Sequence, residues 1–396
     1  MPSVPKRKNR QAKRTDTNTA ARVSFGKRLS LIAGIIILLG IAGFADVHFV
    51  SVSKAEPTKS ASVSASKPNT FKQPTTFAEL VALKPDELAS VDIGLMNLLC
   101  AEGLPGAENL NVGQCMTNLD QWAQDLKWQI DRNFHRYNEN PDYFYNSTNF
   151  YQMLMMASIL YSQYNIRYNP DLIEPVTDTE ISDDQFFADS RNVFINGLVG
   201  SERMGTCSSL PVLYVALCRR LGYPIKLVSA KAHFLIRWDS STERFDMDTT
   251  GKGMNKYDDE RYRKWPYPIS DGDIKTDGLL ESMTPAQELS CFLGTRSACL
   301  HAAGKIREAI AAKAAAVRFE PNWRHNRLML NYAEEEFFGF SAAELRADSH
   351  REFPNAEVEA AFNNAKEIKL KRIERAELGL PDEVVSLPKF NPNPIN

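Results

Sequence analysis

The sequence predicts an α+β fold in which a helix packs on an antiparallel sheet. Apolar residues recur at helical spacing over 208–221, and Pro224 marks the end of that helix. A strand-like run over 225–229 comes next, and two alternating runs, His233–Trp238 and Arg244–Asp248, follow it. Because a short polar turn joins the two alternating runs, we expect them to pair as antiparallel strands.

Cys207 lies at or just before the first turn of this predicted helix. The free backbone N–H groups and the dipole at a helix start favour an anion, here a thiolate. The same N–H groups can donate hydrogen bonds to an oxyanion. Pro211 leaves the exact start of the helix open, because a proline deep in a helix removes a hydrogen bond.

The two predicted strands each present polar residues on one face. His233 and Arg237 share a face of the first strand, and Asp246 and Asp248 share a face of the second. Adjacent antiparallel strands can bring such residues face to face. A thiol nucleophile needs a base and a group that orients the base, and Cys207, His233 and Asp248 follow one another in that order.

Each of these residues also has an ordinary structural interpretation. A single cysteine ahead of an apolar helix is usually a core residue, and this is our interpretation of Cys218. A single histidine on a strand is more often structural as well. The three residues together favour a catalytic site. No metal or cofactor is predicted, because the chain has no Cys-x-x-Cys and no histidine pair at i, i+4.

This stretch resembles the transglutaminase-like superfamily of papain-type cysteine acyl-transfer enzymes. The resemblance is carried by Gly-Thr-Cys207-Ser-Ser, by His233-Phe-Leu-Ile-Arg and by Asp248-Thr-Thr-Gly. It implies a nucleophile at Cys207, a base at His233 and an orienting group at Asp248. Asp248 is preferred to Asp246 because the glycine-containing turn follows it directly. No residue is assigned as the side-chain oxyanion donor of the family.

The run over 92–108 looks like a bacterial branch of this superfamily, and the whole resemblance covers roughly residues 76–320. That branch often carries tetratricopeptide-like helices after the core. Residues 304–322 fit the second half of such a repeat, with small residues at Gly304, Ala309 and Ala316 and a breaker at Pro321. A plain helical hairpin is the alternative.

The charge is divided unevenly along the chain. Residues 1–28 contain nine Lys or Arg and one acid, which gives this segment a charge of +8. Because the net charge of the whole chain is −2, the remaining residues carry about −10. An acidic body argues against a nucleic-acid partner. The uncharged apolar run within 29–50 predicts a single-pass anchor with a cytoplasmic N-terminus. A signal peptide cleaved after Ala45 is the alternative.

Export would place the six cysteines in an oxidising compartment. Local disulfides are then possible between Cys100 and Cys115 and between Cys291 and Cys299, which would leave Cys207 free. The second pair has a geometric objection, because eight residues along one helix are too far apart for a bridge.

These observations divide the chain into six segments. They are a basic cytoplasmic arm (1–28), a transmembrane anchor (29–50), a flexible linker (51–75), a transglutaminase-like domain (76–275), a helical tetratricopeptide-like region (283–375) and a disordered tail (376–396). Within the body, helices are predicted over 77–83, 86–100, 117–134 and 149–164, and again after Pro285.

The sequence therefore predicts a membrane-anchored cysteine enzyme whose catalytic domain is periplasmic or on the cell surface. Its substrate would be a protein or peptide. The acyl group would pass to water, as in a peptidase or amidase, or to an amine, as in a transglutaminase. The alternative is a catalytically inactive envelope scaffold that binds a protein partner through its C-terminal helices.

Overall fold

The computed structural model describes residues 71–173, 183–251 and 255–338. The α-helices in these ranges are α1 (Phe77–Ala82), α2 (Ile93–Ala101), α3 (Val112–Arg132), α4 (His135–Glu139), α5 (Thr148–Ser162), α6 (Asp183–Phe187), α7 (Ser190–Val193), α8 (Asn196–Val199), α9 (Leu210–Arg220), α10 (Asp259–Tyr262), α11 (Asp271–Asp277), α12 (Pro285–Ala302), α13 (Ile306–Phe319) and α14 (Arg324–Phe338). The strands are β1 (Arg167–Tyr168), β2 (Met204–Gly205), β3 (Ile225–Ala230), β4 (His233–Asp239), β5 (Arg244–Asp248) and β6 (Asn255–Tyr257).

Strands β3 to β6 form one antiparallel sheet in sequence order. Alternation divides its side chains between two faces. Leu227, Ile236 and Met247 face the main hydrophobic core, whereas Val228 and Leu235 face a smaller cluster under the segment 257–280. The free edge of β3 is covered, because the backbone N–H groups of Leu280 and Met283 donate to β3 carbonyls.

Helix α9 is the central element of the main core. Every residue of it from Leu210 to Cys218 is buried, and it packs on β3, β4, α2 and α3. A helix that is apolar on all sides is stable only when neighbours cover it on all sides. The predicted mixed α and β architecture, with this helix on an antiparallel sheet, is therefore observed.

A second, two-stranded sheet was not predicted. Strands β1 and β2 pair in parallel, with Tyr168 opposite Gly205. The backbone N–H of Asn169 donates to the carbonyl of Gly205 at 2.8 Å. This pairing fixes the segment that leads into Cys207 against a segment that lies far away in sequence.

Three predicted helix boundaries were wrong. The helix predicted over 86–100 is a 3₁₀ turn followed by α2, because Asp92 is extended and caps α2 through Leu95 N–H. Helix α3 begins before residue 117, at the cap residue Asn111. Helix α9 begins at Leu210 rather than at 208, which places Pro211 in the first turn, where its missing N–H is harmless.

The C-terminal helices are confirmed as helices. Helices α12, α13 and α14 pack in succession, and α12 also packs on α2. The Arg219 guanidinium joins α9 to α12 through two hydrogen bonds, of 2.5 and 3.0 Å, to the fully buried Glu288. The predicted region over 283–375 extends beyond the described residues, and its tetratricopeptide character stays a prediction.

Several predictions fall partly or wholly outside the described ranges. The basic arm, the anchor over 29–50, most of the linker and the tail lie there. Among the helices of the described ranges, none combines the length and the apolarity that a membrane span requires.

All six cysteines are described, and none forms a disulfide. Cys291 and Cys299 both lie on helix α12. Eight residues along one helix are too far apart for a disulfide, as the sequence analysis argued. Cys100 and Cys115, the other possible pair, are both buried as free thiols.

Candidate active site

A network of short side chains shapes the turn that carries Cys207. Ser209 Oγ accepts a hydrogen bond from the Thr206 N–H at 3.0 Å and donates to the Asn192 carbonyl at 3.0 Å. Thr206 Oγ1 donates to the same carbonyl at 2.9 Å. Gly205 is required here, because a Cβ would come within 2.3 Å of Ser209 Oγ. The turn is therefore rigid, and Cys207 within it is 7% exposed.

The backbone of this turn corrects one sequence-based argument. The N–H groups of Ser209 and Leu210 both donate to the Thr206 carbonyl. They are therefore engaged by the chain itself, and Cys207 precedes α9 by three residues. The helix start lies close to the thiol, but these two N–H groups are not free to bind an anion.

His233 opens β4 directly after the turn that joins β3 to β4. Ala232 adopts a left-handed conformation there (φ 61°), and Lys231 Nζ anchors the turn on the Pro268 carbonyl and on Asp273, each at 2.8 Å. These contacts fix the first residue of the strand. His233 is consequently held at the end of an inner strand, with 8% of its surface exposed.

The His233 ring is oriented by Asp248. Its Nε2 lies 3.0 Å from Asp248 Oδ2, across the faces of β4 and β5. The other carboxylate oxygen, Oδ1, accepts hydrogen bonds from the Thr250 N–H at 2.8 Å and the Thr250 hydroxyl at 2.6 Å. Both oxygens of the buried carboxylate are therefore satisfied, and Nδ1 is the ring nitrogen left for another partner.

Cys207 lies close enough to the His233 ring to influence its pKa. The structure thus brings all three predicted site residues together, although they lie on three different elements. Burial by itself lowers the pKa of His233, but the negative charge and hydrogen bond of Asp248, together with Cys207, outweigh it and raise the pKa to about 10.

Asp248 shows the reciprocal effect. Burial alone would raise the pKa of its carboxyl, but the His233 charge and the hydrogen bonds from His233 and Thr250 hold that pKa below its ordinary value. The two shifts favour the charged forms of the pair, so a proton that His233 accepts is stabilised there by Asp248. Such a pair can hold a proton and later return it to a leaving group.

Aromatic residues of the segment 257–280 cover this pair. The Trp265 ring meets the His233 ring edge-on with centroids 4.9 Å apart, and the Tyr262 ring lies parallel to it at 6.4 Å. Tyr262 is fully buried, and its hydroxyl has no hydrogen-bond partner among the described residues. The covering rings exclude water from the imidazole, which strengthens its interaction with Asp248.

Tyr168 is the site residue that the sequence analysis missed. It pairs with Gly205 on β2, and its phenol lies close enough to Cys207 for the two groups to influence each other. Burial, followed by the nearby Cys207 and Asp248, raises the pKa of this phenol well above its ordinary value. The only signal in the sequence is the short Ile-Arg-Tyr alternation at 166–168, which does not indicate its long-range partner.

Asp246, the carboxylate that was not chosen, has a different partner. Arg237 is fully buried and binds Asp246 through two nitrogens, at 2.5 and 2.9 Å. It also donates to Asp259 at 2.5 Å and to the Leu280 carbonyl at 2.8 Å. This cluster ties the sheet to the segment that covers it, and it makes no contact with Cys207.

No group of His, Cys, Asp or Glu in the described ranges is arranged to hold a metal ion. The site instead combines a thiol in a rigid turn before a helix with a His–Asp pair on an antiparallel sheet. This combination is one that thiol acyl-transfer chemistry can use.

The comparison with known families agrees with that chemistry. Residues 117–265 match the family model of the transglutaminase-like superfamily. The matched range contains Cys207, His233, Asp248, Tyr168 and Trp265. No curated protein and no solved structure matches the chain. The bacterial branch stays a prediction.

Proposed function

We propose that the chain is a cysteine enzyme that transfers acyl groups through Cys207. The proposal is carried by one observation: the buried His233–Asp248 pair, 3.0 Å apart, has Cys207 as a near neighbour. In this mechanism Cys207 attacks an amide or ester carbonyl of a protein or peptide. His233 takes the thiol proton and returns it to the leaving group, while Asp248 fixes the ring and stabilises its charge.

The state of the other thiols supports the choice of Cys207. Burial raises the pKa of Cys100, Cys291 and Cys299 to about 12, and it also raises the pKa of Cys115 and Cys218. These five therefore remain protonated and inert at neutral pH. Of the six, Cys207 is the one with an imidazole beside it.

The experiment uses p-nitrophenyl acetate as the acyl probe. A burst of p-nitrophenol with an acetyl group on Cys207, identified by mass spectrometry, is the expected result. Cys207→Ser should abolish the burst, whereas Cys218→Ser, the matched control in α9, should keep it. A folded wild-type chain that gives no burst would contradict the proposal and favour the envelope scaffold.

The fate of the acyl group decides between the two kinds of enzyme. Adding a primary amine such as cadaverine to the acetylated protein offers a second acceptor beside water. Formation of N-acetylcadaverine would identify a transglutaminase, whereas release of acetate alone would identify a hydrolase. Mass spectrometry of the small products measures the ratio directly.

We further propose that the domain is anchored to a membrane by residues 29–50, with its catalytic part outside the cytoplasm. The support is the uncharged apolar run and the basic arm before it. A reporter that is active only outside the cytoplasm, fused after Thr76, should be active. Activity of a cytoplasmic reporter at the same position would contradict this topology, and processing after Ala45 would indicate a secreted protein.

A further inference from the structure

We propose that Asn169 and Asn192 are positioning residues, which together hold the turn of Cys207 in place relative to His233. This inference rests on the proposed role of Cys207 as the nucleophile. Neither asparagine is assigned to the chemical step itself, because both act through the backbone that carries the thiol.

Asn169 holds the chain just before the nucleophile. It follows β1 directly, and its backbone N–H donates to the Gly205 carbonyl at 2.8 Å. Its Oδ1 accepts from the Asp171 N–H at 3.1 Å and so caps the short 3₁₀ turn that comes next. Its Nδ2 donates to Asn192 Oδ1 at 3.0 Å. Because the N–H, Oδ1 and Nδ2 groups each have a protein partner, the side chain has one defined orientation.

Asn192 holds the chain on both sides of the nucleophile. It lies in the one-turn helix α7, whose last carbonyls have no N–H group of the same helix to accept from. The Asn192 carbonyl accepts instead from Thr206 Oγ1 at 2.9 Å and from Ser209 Oγ at 3.0 Å. Both of these residues are fully buried, and they flank Cys207 in the sequence. This one carbonyl therefore fixes the turn at its two ends.

The bond between Asn169 and Asn192 joins these two anchors. Without it, β1 and α7 could shift independently, and the turn that they hold could change its position. Cys207 and His233 lie on separate elements, so a shift of the turn directly changes the distance between the sulfur and the ring. A misplacement of about 1 Å can lower a catalysed rate by about 100-fold.

A structural interpretation competes with this one, since the amide pair could contribute to stability alone. The chain offers a matched comparison. Gln129 and Gln163 form an amide–amide pair of the same kind, with N···O distances of 2.8 and 3.0 Å, between α3 and the residue that follows α5. Neither glutamine side chain bonds to residues 205–210. Loss of the glutamine pair therefore measures what such a contact contributes to stability only.

The test measures acylation by p-nitrophenyl acetate in the full-length chain. Asn192→Ala removes Oδ1 and leaves the backbone carbonyl in place. We expect the acylation rate constant at saturating ester to fall by about 10- to 100-fold, with the half-saturating ester concentration nearly unchanged. Asn192→Asp keeps an oxygen to which Asn169 Nδ2 can donate, so it should acylate nearly as fast as the wild type. Gln163→Ala should lower the free energy of unfolding, measured with urea, and leave the rate per folded molecule unchanged.

The double variant Asn169→Asp/Asn192→Asp tests the bond itself. It sets two acceptors against each other, because neither carboxylate has a proton to donate at neutral pH. The cap on Asp171 is kept, and both substitutions preserve the size of the side chain. This variant should be about as slow as Asn192→Ala.

Other outcomes overturn the inference in distinguishable ways. An unchanged rate in Asn192→Ala, or an equal loss in Asn192→Asp, excludes the positioning role. A loss in Gln163→Ala as large as that in Asn192→Ala shows an effect of stability alone and excludes it as well. Wild-type acylation no faster than that of Cys207→Ser overturns the proposed function, and this inference with it. If Asn192→Ala does not fold, Asn169→Ser keeps a cap oxygen for Asp171 but is too short to reach residue 192, and it must show the same loss of rate.

Discussion

Two carboxylates lie two residues apart on the same face of β5, and each meets a different base on β4. Asp246 binds the guanidinium of Arg237, and Asp248 binds the imidazole of His233. Both pairs are buried on one face of one sheet. The difference is in the base: arginine stays charged at every accessible pH, whereas histidine can release a proton to a substrate.

The surroundings of the two pairs also differ, because only the Arg237 side chain has all its nitrogens bonded to carboxylate or carbonyl oxygens. Arg237 gives all three of its nitrogens to oxygen acceptors, on Asp246, Asp259 and Leu280, so the cluster is closed. His233 gives one nitrogen to Asp248 and turns the other side toward Cys207. A closed pair stabilises the fold, whereas a pair with one open position can take part in a reaction.

The largest expected difference is in activity. Asp248→Asn should lower acylation by p-nitrophenyl acetate by about 10³- to 10⁴-fold, because an amide neither stabilises the imidazolium nor selects the right tautomer. Asp246→Asn should leave the rate per folded molecule nearly unchanged, since Arg237 does not touch Cys207. The amplitude of the p-nitrophenol burst gives the fraction of active molecules in each preparation. Equal rate losses in the two variants would show that the pairs act as one unit.

Stability should respond in the opposite order. Arg237→Met leaves Asp246 buried without its main partner and should cost about 3–5 kcal/mol of unfolding free energy. His233→Ala, at the end of strand β4, should cost less unfolding free energy than Arg237→Met. Urea denaturation measures both. The double variant Arg237→Met/Asp246→Leu should recover much of the loss, because apolar residues can replace a buried ion pair; no recovery would mean that Asp259 is the essential partner.

The sequence predicted one pair far better than the other. His233 and Asp248 were found because alternation places them on one face and the chemistry of a thiol requires them. The same alternation placed Arg237 and Asp246 together, but nothing in the sequence indicated that the segment 257–280 would bury them. Tyr168 was missed because a two-residue parallel strand has no periodicity, and its partner is distant in sequence.

The same contrast holds for the helices. The apolar pattern predicted α9 and α12, since burial on most sides leaves a strong signal. It ran through Asp92, where a side-chain cap ends one element and starts the next. Local capping chemistry is decided by the backbone angles of single residues, which periodicity does not report.

The pH dependence of the unfolding free energy should also distinguish the His233–Asp248 pair from the Arg237–Asp246 pair. The folded pKa of His233 is raised from 6.5 to about 10, so its stabilising effect is complete below pH 6.5 and is lost as the pH rises through about 10. The difference in unfolding free energy between wild type and His233→Ala should shrink over that range. For Arg237→Met the difference should stay constant above neutral pH. A constant difference for His233→Ala would contradict the raised pKa.

Lys313 provides the smallest test, because it is a buried base without a carboxylate partner among the described residues. It lies on α13 with 8% exposure, and no carboxylate of the described ranges is within ion-pair distance. Burial lowers its pKa from 10.5 to about 8, which means that the folded state carries a cost for the ammonium below pH 8. Lys313→Met keeps the length of the side chain and removes that cost, so it should stabilise the protein by about 1 kcal/mol at pH 7.

Because the folded form of the lysine becomes neutral above its lowered pKa, the advantage of methionine should decline as the pH rises from 8 toward 10.5. Rising pH therefore favours the wild type through Lys313 and disfavours it through His233. The Lys313 trend must persist in a His233→Ala background, since the two residues lie on separate parts of the fold. If methionine destabilised the protein at pH 7, the ammonium would have a favourable partner, and an isolated buried base would not be the right description of Lys313.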